Sequence, residues 1–270
     1  MASFGDAFRL TLITNDPALA ANVDGCGVER IGVDLETLGK AERQAGQNTR
    51  LSGHTIEDLV VIAASLRRAD LFVRVNPINP GTAAEVEAVL RHGAKVLMLP
   101  YFRTAGEVEA FVRLVDGRAS VMILVETASA LVRIREILAV PGVQEVMVGL
   151  NDLRLELGVR NHFEVLVSPL MDAVASEVSK ARLPFSIGGV ARVDDVSLPV
   201  SPDLIFAQYA RLGATGAWIS RSFFENVPEN WDFGGAVSSV RQRLSEWASA
   251  SPEAWSRARD ELAEHARGWR

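Results

Sequence analysis

The chain alternates between short apolar runs and longer amphipathic stretches. Eight runs read as strands: RLTLIT (9–14), RIGVDL (30–35), LFVRVN (71–76), KVLMLP (95–100), VMILVE (121–126), EVMVGL (145–150), PFSIGG (184–189) and GAWIS (216–220). Between them, apolar positions recur at helical spacing, so the pattern predicts βαβ units and a parallel sheet. Eight parallel strands close a barrel. The expected fold is α/β, a (β/α)8 TIM barrel with an extra C-terminal helix.

Local signals place the helices. Thr55 with Asp58 opens a helical run to about Arg68, and Thr82 with Glu85 resembles a capping box ahead of a segment that Gly93 terminates. Thr104 with Glu107 repeats the device, and Thr127 opens a helix that stops at Pro141-Gly142. No proline-rich or low-complexity linker divides the chain, so residues 1–270 are expected to form one domain.

Two stretches fall outside the repeat. Residues 39–55, GKAERQAGQNTRLSGHT, are polar and too long for an ordinary strand-to-helix connection, which predicts a functional loop over the barrel mouth. The tail, 228–270, carries pattern for two helices. Its tryptophans Trp247, Trp255 and Trp269 are placed to cap the barrel floor or to mediate oligomerisation.

Charge and cysteine content narrow the class. With 28 basic and 34 acidic residues the net charge is −6, and the charges are scattered, which disfavours a nucleic-acid or anionic-membrane surface. The one cysteine, Cys26, has no partner for an internal disulfide and reads as a small inert side chain. With no apolar leader or spanning stretch, the expected compartment is the cytoplasm.

The chemistry concentrates where apolar runs end in charge. VMILVE ends on Glu126 and EVMVGLND on Asp152, one repeat apart. A parallel strand is buried on both faces, so a charge at its last residue lies at the rim, where such folds bind ligands. Two neighbouring carboxylates repel unless a cation lies between them, and a divalent metal is the simplest.

The ordered blocks VDLE, VRVNP, GAKVLMLP, ILVETASAL, PGVQEVMVGLNDL and SIGGV, from about Arg30 to Arg221, resemble the HpcH/HpaI aldolase/citrate lyase family of the phosphoenolpyruvate/pyruvate barrel superfamily. The resemblance implies Mg²⁺ or Mn²⁺ held by Glu126 and Asp152, and a pyruvate- or oxaloacetate-like keto acid as substrate. It implies that Arg74 stabilises the enolate oxygen, that backbone amides around Asn151 and Asp152 hold the substrate carboxylate, and that Glu36 is the carboxylate of the strand-two motif. The family's pyruvate aldolases carry a catalytic histidine directly after that Glu, and its citrate lyase-like branch an Asp; this chain has Thr37.

The general base therefore stays open, with His54 in the long loop as the candidate. Lys40, Arg43 and Arg50 share that loop and could grip an anionic co-substrate. Gly188 and Gly189 follow strand seven, where substrate backbone or a tight turn would need them, and Arg221 is a further candidate contact. Structural alternatives stand beside these roles: Asp152 capping a helix from Leu153, an Arg74–Glu36 ion pair, and Glu36 positioning Arg74 or a metal-bound water. His92, His162 and His265 read as surface residues.

The expected activity is a divalent-metal-dependent carbon-carbon lyase of the class II aldolase type, working through a keto-acid enolate, in a homo-oligomer, with an aldehyde as second substrate. A Claisen-type enzyme using oxaloacetate and a CoA thioester, citrate synthase-like or a citryl/citramalyl-CoA lyase, is the alternative. A catalytically silent barrel used for binding or assembly is the second.

Overall fold

Eight parallel strands pair in chain order, and the last returns to the first to close a barrel. The computed structural model describes residues 3–40, 53–228 and 231–268. The strands are β1 (Arg9–Ile13), β2 (Arg30–Asp34), β3 (Asp70–Arg74), β4 (Val96–Leu99), β5 (Ser120–Val125), β6 (Val143–Val148), β7 (Phe185–Val190) and β8 (Gly216–Ile219). Each overlaps its expected run.

Side chains alternate across each strand, and here the alternation separates two environments. Ile31, Val33 and Leu35 on β2 and its extension belong to the large cluster between barrel and helices. Phe72, Val96, Met98, Met122, Leu124 and Met147 form a second cluster, flanked by Ile13 and Trp218, that fills the barrel interior. Glycine is required at inward-facing Gly32, because a Cβ there would lie 1.7 Å from the Phe72 carbonyl oxygen.

The same parity places charges at both ends of the interior. At the N-terminal end, Arg30 donates to Glu145 at 3.0 and 2.6 Å, and the Ser186 hydroxyl adds a bond at 3.1 Å. All three side chains are buried. Such a pair contributes little net stability, but loss of either partner would strand a buried charge. At the opposite end the inward positions are Asp34, Arg74 and, one step past β5, Glu126.

The outer helices are α1 (Phe4–Ala7), α2 (Pro17–Val23), α3 (Ile56–Ser65), α4 (Thr82–Arg91), α5 (Ala105–Val115), α6 (Ala128–Val132), α7 (Ile134–Leu138), α8 (Leu150–Leu157), α9 (His162–Leu166), α10 (Pro169–Ala181), α11 (Pro202–Leu212), α12 (Phe233–Ala248) and α13 (Pro252–Gly268). Capping boxes form at Thr55–Asp58 and Thr104–Glu107. The box expected at Thr82–Glu85 does not: Gly81 is the N-cap of α4, while Thr82 accepts from the Asn79 amide and Glu85 binds Asn76. The helix after Thr127 breaks into two pieces at Arg133, and α3 ends at Ser65 rather than Arg68.

The tail forms two helices. Arg241 of α12 ties it to the start of the chain, donating to the carbonyls of Gly5 and Phe8 and to Glu29. Trp247 donates to Asp203 on α11 and so anchors the tail to the barrel's own surface, while Trp255 donates to the Trp247 carbonyl and ties the two tail helices together. Trp269 lies outside the described residues. Among the described residues, no helix is long and apolar enough to cross a membrane.

Candidate active site

Glu126 follows β5 directly, and its carboxylate accepts from the Tyr101 amide at 3.0 Å. Tyr101 holds a left-handed backbone, φ 50°, which is costly for a residue with a side chain and aims this N–H at Glu126. Across from it, Gly149 brings backbone against the carboxylate, since a Cβ there would lie 2.5 Å from Glu126 Oε2.

Asp152 reaches the site from a helix rather than from a strand end. β6 stops at Val148, Gly149 is the N-cap and α8 starts at Leu150, so Asp152 is the third residue of the first turn. The expected cap ahead of Leu153 is corrected: the helix begins three residues earlier. The Leu153 amide makes the first intrahelical bond, to Gly149. The amides of Leu150, Asn151 and Asp152 therefore belong to the open end of a helix, a ready site for an anion.

Glu36 completes the acidic cluster, and ligand oxygens of Glu36, Glu126 and Asp152 all lie within 4.8 Å of one another. That spacing approximates the width of an oxygen shell around one divalent ion, roughly 4 to 5 Å. All three residues are buried.

Asp34, on the same face two residues before Glu36, organises the cations. Arg74 donates to it through Nε at 2.8 Å and Nη2 at 2.6 Å, while Nη1 lies 3.4 Å from Glu36. Lys40 Nζ lies 2.9 Å from Asp34 and 3.2 Å from Glu36. Burial opposes charge on Arg74, but the Asp34 and Glu36 carboxylates outweigh it and raise its pKa. Its guanidinium also stacks over Trp218, 4.8 Å from the ring centroid.

Among the described residues, four carboxylates, Asp34, Glu36, Glu126 and Asp152, thus meet two paired cations, Lys40 and Arg74. A buried cluster of hard carboxylate oxygens fits a divalent cation.

A cavity of about 780 Å³ opens over these groups, lined by Asp34, Lys40, His54, Arg74, Glu126 and Asp152. Asn151, Gly188, Trp218 and Arg221 also line it. His54 is half-buried, and its Nδ1 accepts from the Asp34 amide at 3.1 Å. Burial pushes its pKa down, only partly offset by Asp34, so the ring is neutral near pH 7. A neutral imidazole accepting at Nδ1 carries its proton on Nε2.

Several expected placements change. Lys40 is buried against Asp34 and Glu36, so its ammonium neutralises the site instead of reaching for a co-substrate. Arg43 and Arg50 lie outside the described residues. Gly188 and Gly189 lie within β7, at a register shift against β8, not after the strand. Arg74 pairs chiefly with Asp34 rather than with Glu36 alone. His162 is no surface residue: it opens α9 and lines the cavity, and burial with nearby Arg154 pushes its pKa down to about 4. Thr37 is exposed, its amide donating to Asn76 at 2.9 Å.

Sequence reasoning missed Asp34, Trp218 and Tyr101. Asp34 carried a signal, because strand parity puts it on the same face as Glu36. Trp218 and Tyr101 carried none without knowledge of which strands meet.

The sequence profile of HpcH/HpaI aldolase/citrate lyase matches residues 10–198. The chain belongs to this family. Solved HpcH/HpaI relatives repeat the fold. A family protein from Burkholderia cenocepacia J2315 is 19% identical with a TM-score of 0.62, over 90% of this chain and 96% of that one. An HpcH/HpaI aldolase from Desulfitobacterium hafniense DCB-2 is 17% identical, TM-score 0.61, over 80% and 86%. The citrate synthase SbnG is 16% identical, TM-score 0.59, over 80% and 88%. No curated protein matches the sequence. As an HpcH/HpaI member, the chain comes from a family of aldolases and lyases that act on small keto acids, generally with divalent metals.

Proposed function

We propose that the protein is a metal-dependent carbon-carbon lyase of the class II aldolase type, forming or cleaving a bond to the methyl carbon of pyruvate or a related keto acid. The observation that carries this reading is the convergence of Glu36, Glu126 and Asp152 within 4.8 Å at the barrel mouth. Glu126 and Asp152 would hold Mg²⁺ or Mn²⁺, with Glu36 beside them. The ion's contribution would be Lewis-acid polarisation of the keto carbonyl, which acidifies the adjacent methyl group.

The chain's own residues do the rest. The first-turn amides of α8, at Asn151 and Asp152, bind the substrate carboxylate. Arg74, fixed by Asp34 and packed on Trp218, offers preorganised positive charge where the enolate oxygen develops. His54 presents an Nε2–H donor in its present pose, and base action would require it to release the Asp34 amide. Gly188 leaves room for substrate against β7.

A Claisen-type reaction of oxaloacetate with a CoA thioester is the second reading, favoured by the likeness to the citrate synthase SbnG. Saturable acetyl-CoA binding dependent on oxaloacetate, without aldehyde-dependent turnover, would select it. A silent barrel would bind neither Mg²⁺ nor Mn²⁺. The reading places the enzyme in the cytoplasm, as a homo-oligomer assembled through the 228–270 helices of a single barrel domain.

The test is a Mn²⁺ titration followed by electron paramagnetic resonance. The wild type should bind one ion per chain, and Glu126→Gln should lose that binding with its thermal unfolding unchanged. Equal affinity in both would refute the assignment.

A further inference from the structure

A second cavity, about 240 Å³, lies between β7, α9 and α11, with Ser220 just past β8, and adjoins the first. Leu150, His162, Gly188, Gly189 and Ser220 line both. Its walls are apolar: Phe163, Leu166, Val200, Ile205 and Phe206 face it.

The polar groups in its lining already have partners. The Tyr209 hydroxyl donates to the Gly189 carbonyl at 2.7 Å, and the Ser220 and Ser222 hydroxyls bond each other at 2.7 Å. With His162 neutral at physiological pH, no charged side chain lines the cavity among the described residues. An ionic or strongly polar occupant would be desolvated there without compensation.

Gly188 lies at the boundary of the two cavities. Its φ of +55° favours glycine, and a Cβ would project between Leu150 Cδ1, at 3.4 Å, and Tyr209 Oη, at 3.6 Å. Gly188 adds no side chain of its own to the boundary between the two cavities, and Leu150 flanks it there.

We propose that this cavity binds the uncharged apolar substituent of the acceptor aldehyde, and so sets the second substrate as one with an aliphatic or aryl tail of roughly four to eight carbons. The size follows from volume, since an apolar cavity of about 150 Å³ accommodates benzene. The proposal rests on the aldolase reading for the word aldehyde; the cavity's preference for an apolar group does not.

Straight-chain aldehydes from acetaldehyde to hexanal, assayed with pyruvate and Mg²⁺, should gain roughly threefold in kcat/KM per methylene. Ile205→Trp, which fills the cavity, should flatten the series, while pyruvate methyl proton exchange, which needs no acceptor, continues at the wild-type rate. A flat series in the wild type, or an equally steep one in the variant, overturns the proposal. Should the wild type show no methyl exchange, the aldolase reading fails, and the cavity is judged by ¹⁹F NMR titration with 4-fluorobenzyl alcohol. Saturable binding lost in Ile205→Trp supports the apolar site; absence of binding, or binding unaltered by the variant, overturns it.

Discussion

Asp34 accepts from both Nε and Nη2 of Arg74, at 2.8 and 2.6 Å, and so fixes the guanidinium across the β2–β3 seam of the barrel. Bidentate pairing of this kind adds geometric definition to charge. Asp34 therefore acts through Arg74 and is a positioning residue.

Asp34→Ala should take the bidentate partner from Arg74 and the shorter ion pair from Lys40 in a buried site, with Glu36 still beside both. We expect a loss of about 3 to 5 kcal/mol in unfolding free energy, the usual cost of breaking a buried pair. Asp34→Asn, which keeps the shape, should unfold closer to wild type yet lose most turnover. Urea denaturation alongside keto-acid turnover checks both, and a fully active Asp34→Ala would contradict the role.

Gly149→Ala probes the metal cradle from behind. The added methyl would press on Glu126 Oε2, and displacing a ligand through its surroundings typically costs 10- to 100-fold in metal affinity. Calorimetric Mn²⁺ titration should register that loss while circular dichroism stays unchanged. Unaltered affinity would mean that Glu126 does not need this position.

His162 makes stability depend on acid. Its folded pKa is about 4 against 6.5 when free, because burial, and secondarily Arg154, disfavour the imidazolium. Above pH 6.5 both states are neutral and the group has no effect. As pH falls from 6.5 toward 4, only the unfolded chain takes up the proton, so stability declines, by up to about 3 kcal/mol. His162→Gln should reduce the fall in unfolding free energy between pH 7 and 4.5. An identical fall in the variant would remove His162 from the account.

Most of the barrel was legible because buried parallel strands announce themselves as unbroken apolar runs. Glu126 was legible as the charge that ends one. Asp152 was read correctly as a neighbour of Glu126 but assigned to a strand end, because GLND looks like strand continuation until Gly149 is seen to open a helix. Lys40 looked like a surface cation; its burial follows from two carboxylates, Asp34 and Glu36, that only folding brings around it. His162 was missed for a similar reason: only folding sets the first residue of α9 in the wall of the cavity, and no local pattern says so.

The central claim is that the carboxylate cluster holds an ion that activates a keto acid's methyl group. The most direct measurement is ¹H NMR of pyruvate in D₂O with chelator-stripped protein, before and after adding Mg²⁺ or Mn²⁺. The account expects methyl exchange to cease on stripping, to return with either ion, and to be absent from Glu126→Gln throughout. Exchange that proceeds at an undiminished rate in the stripped protein would contradict it.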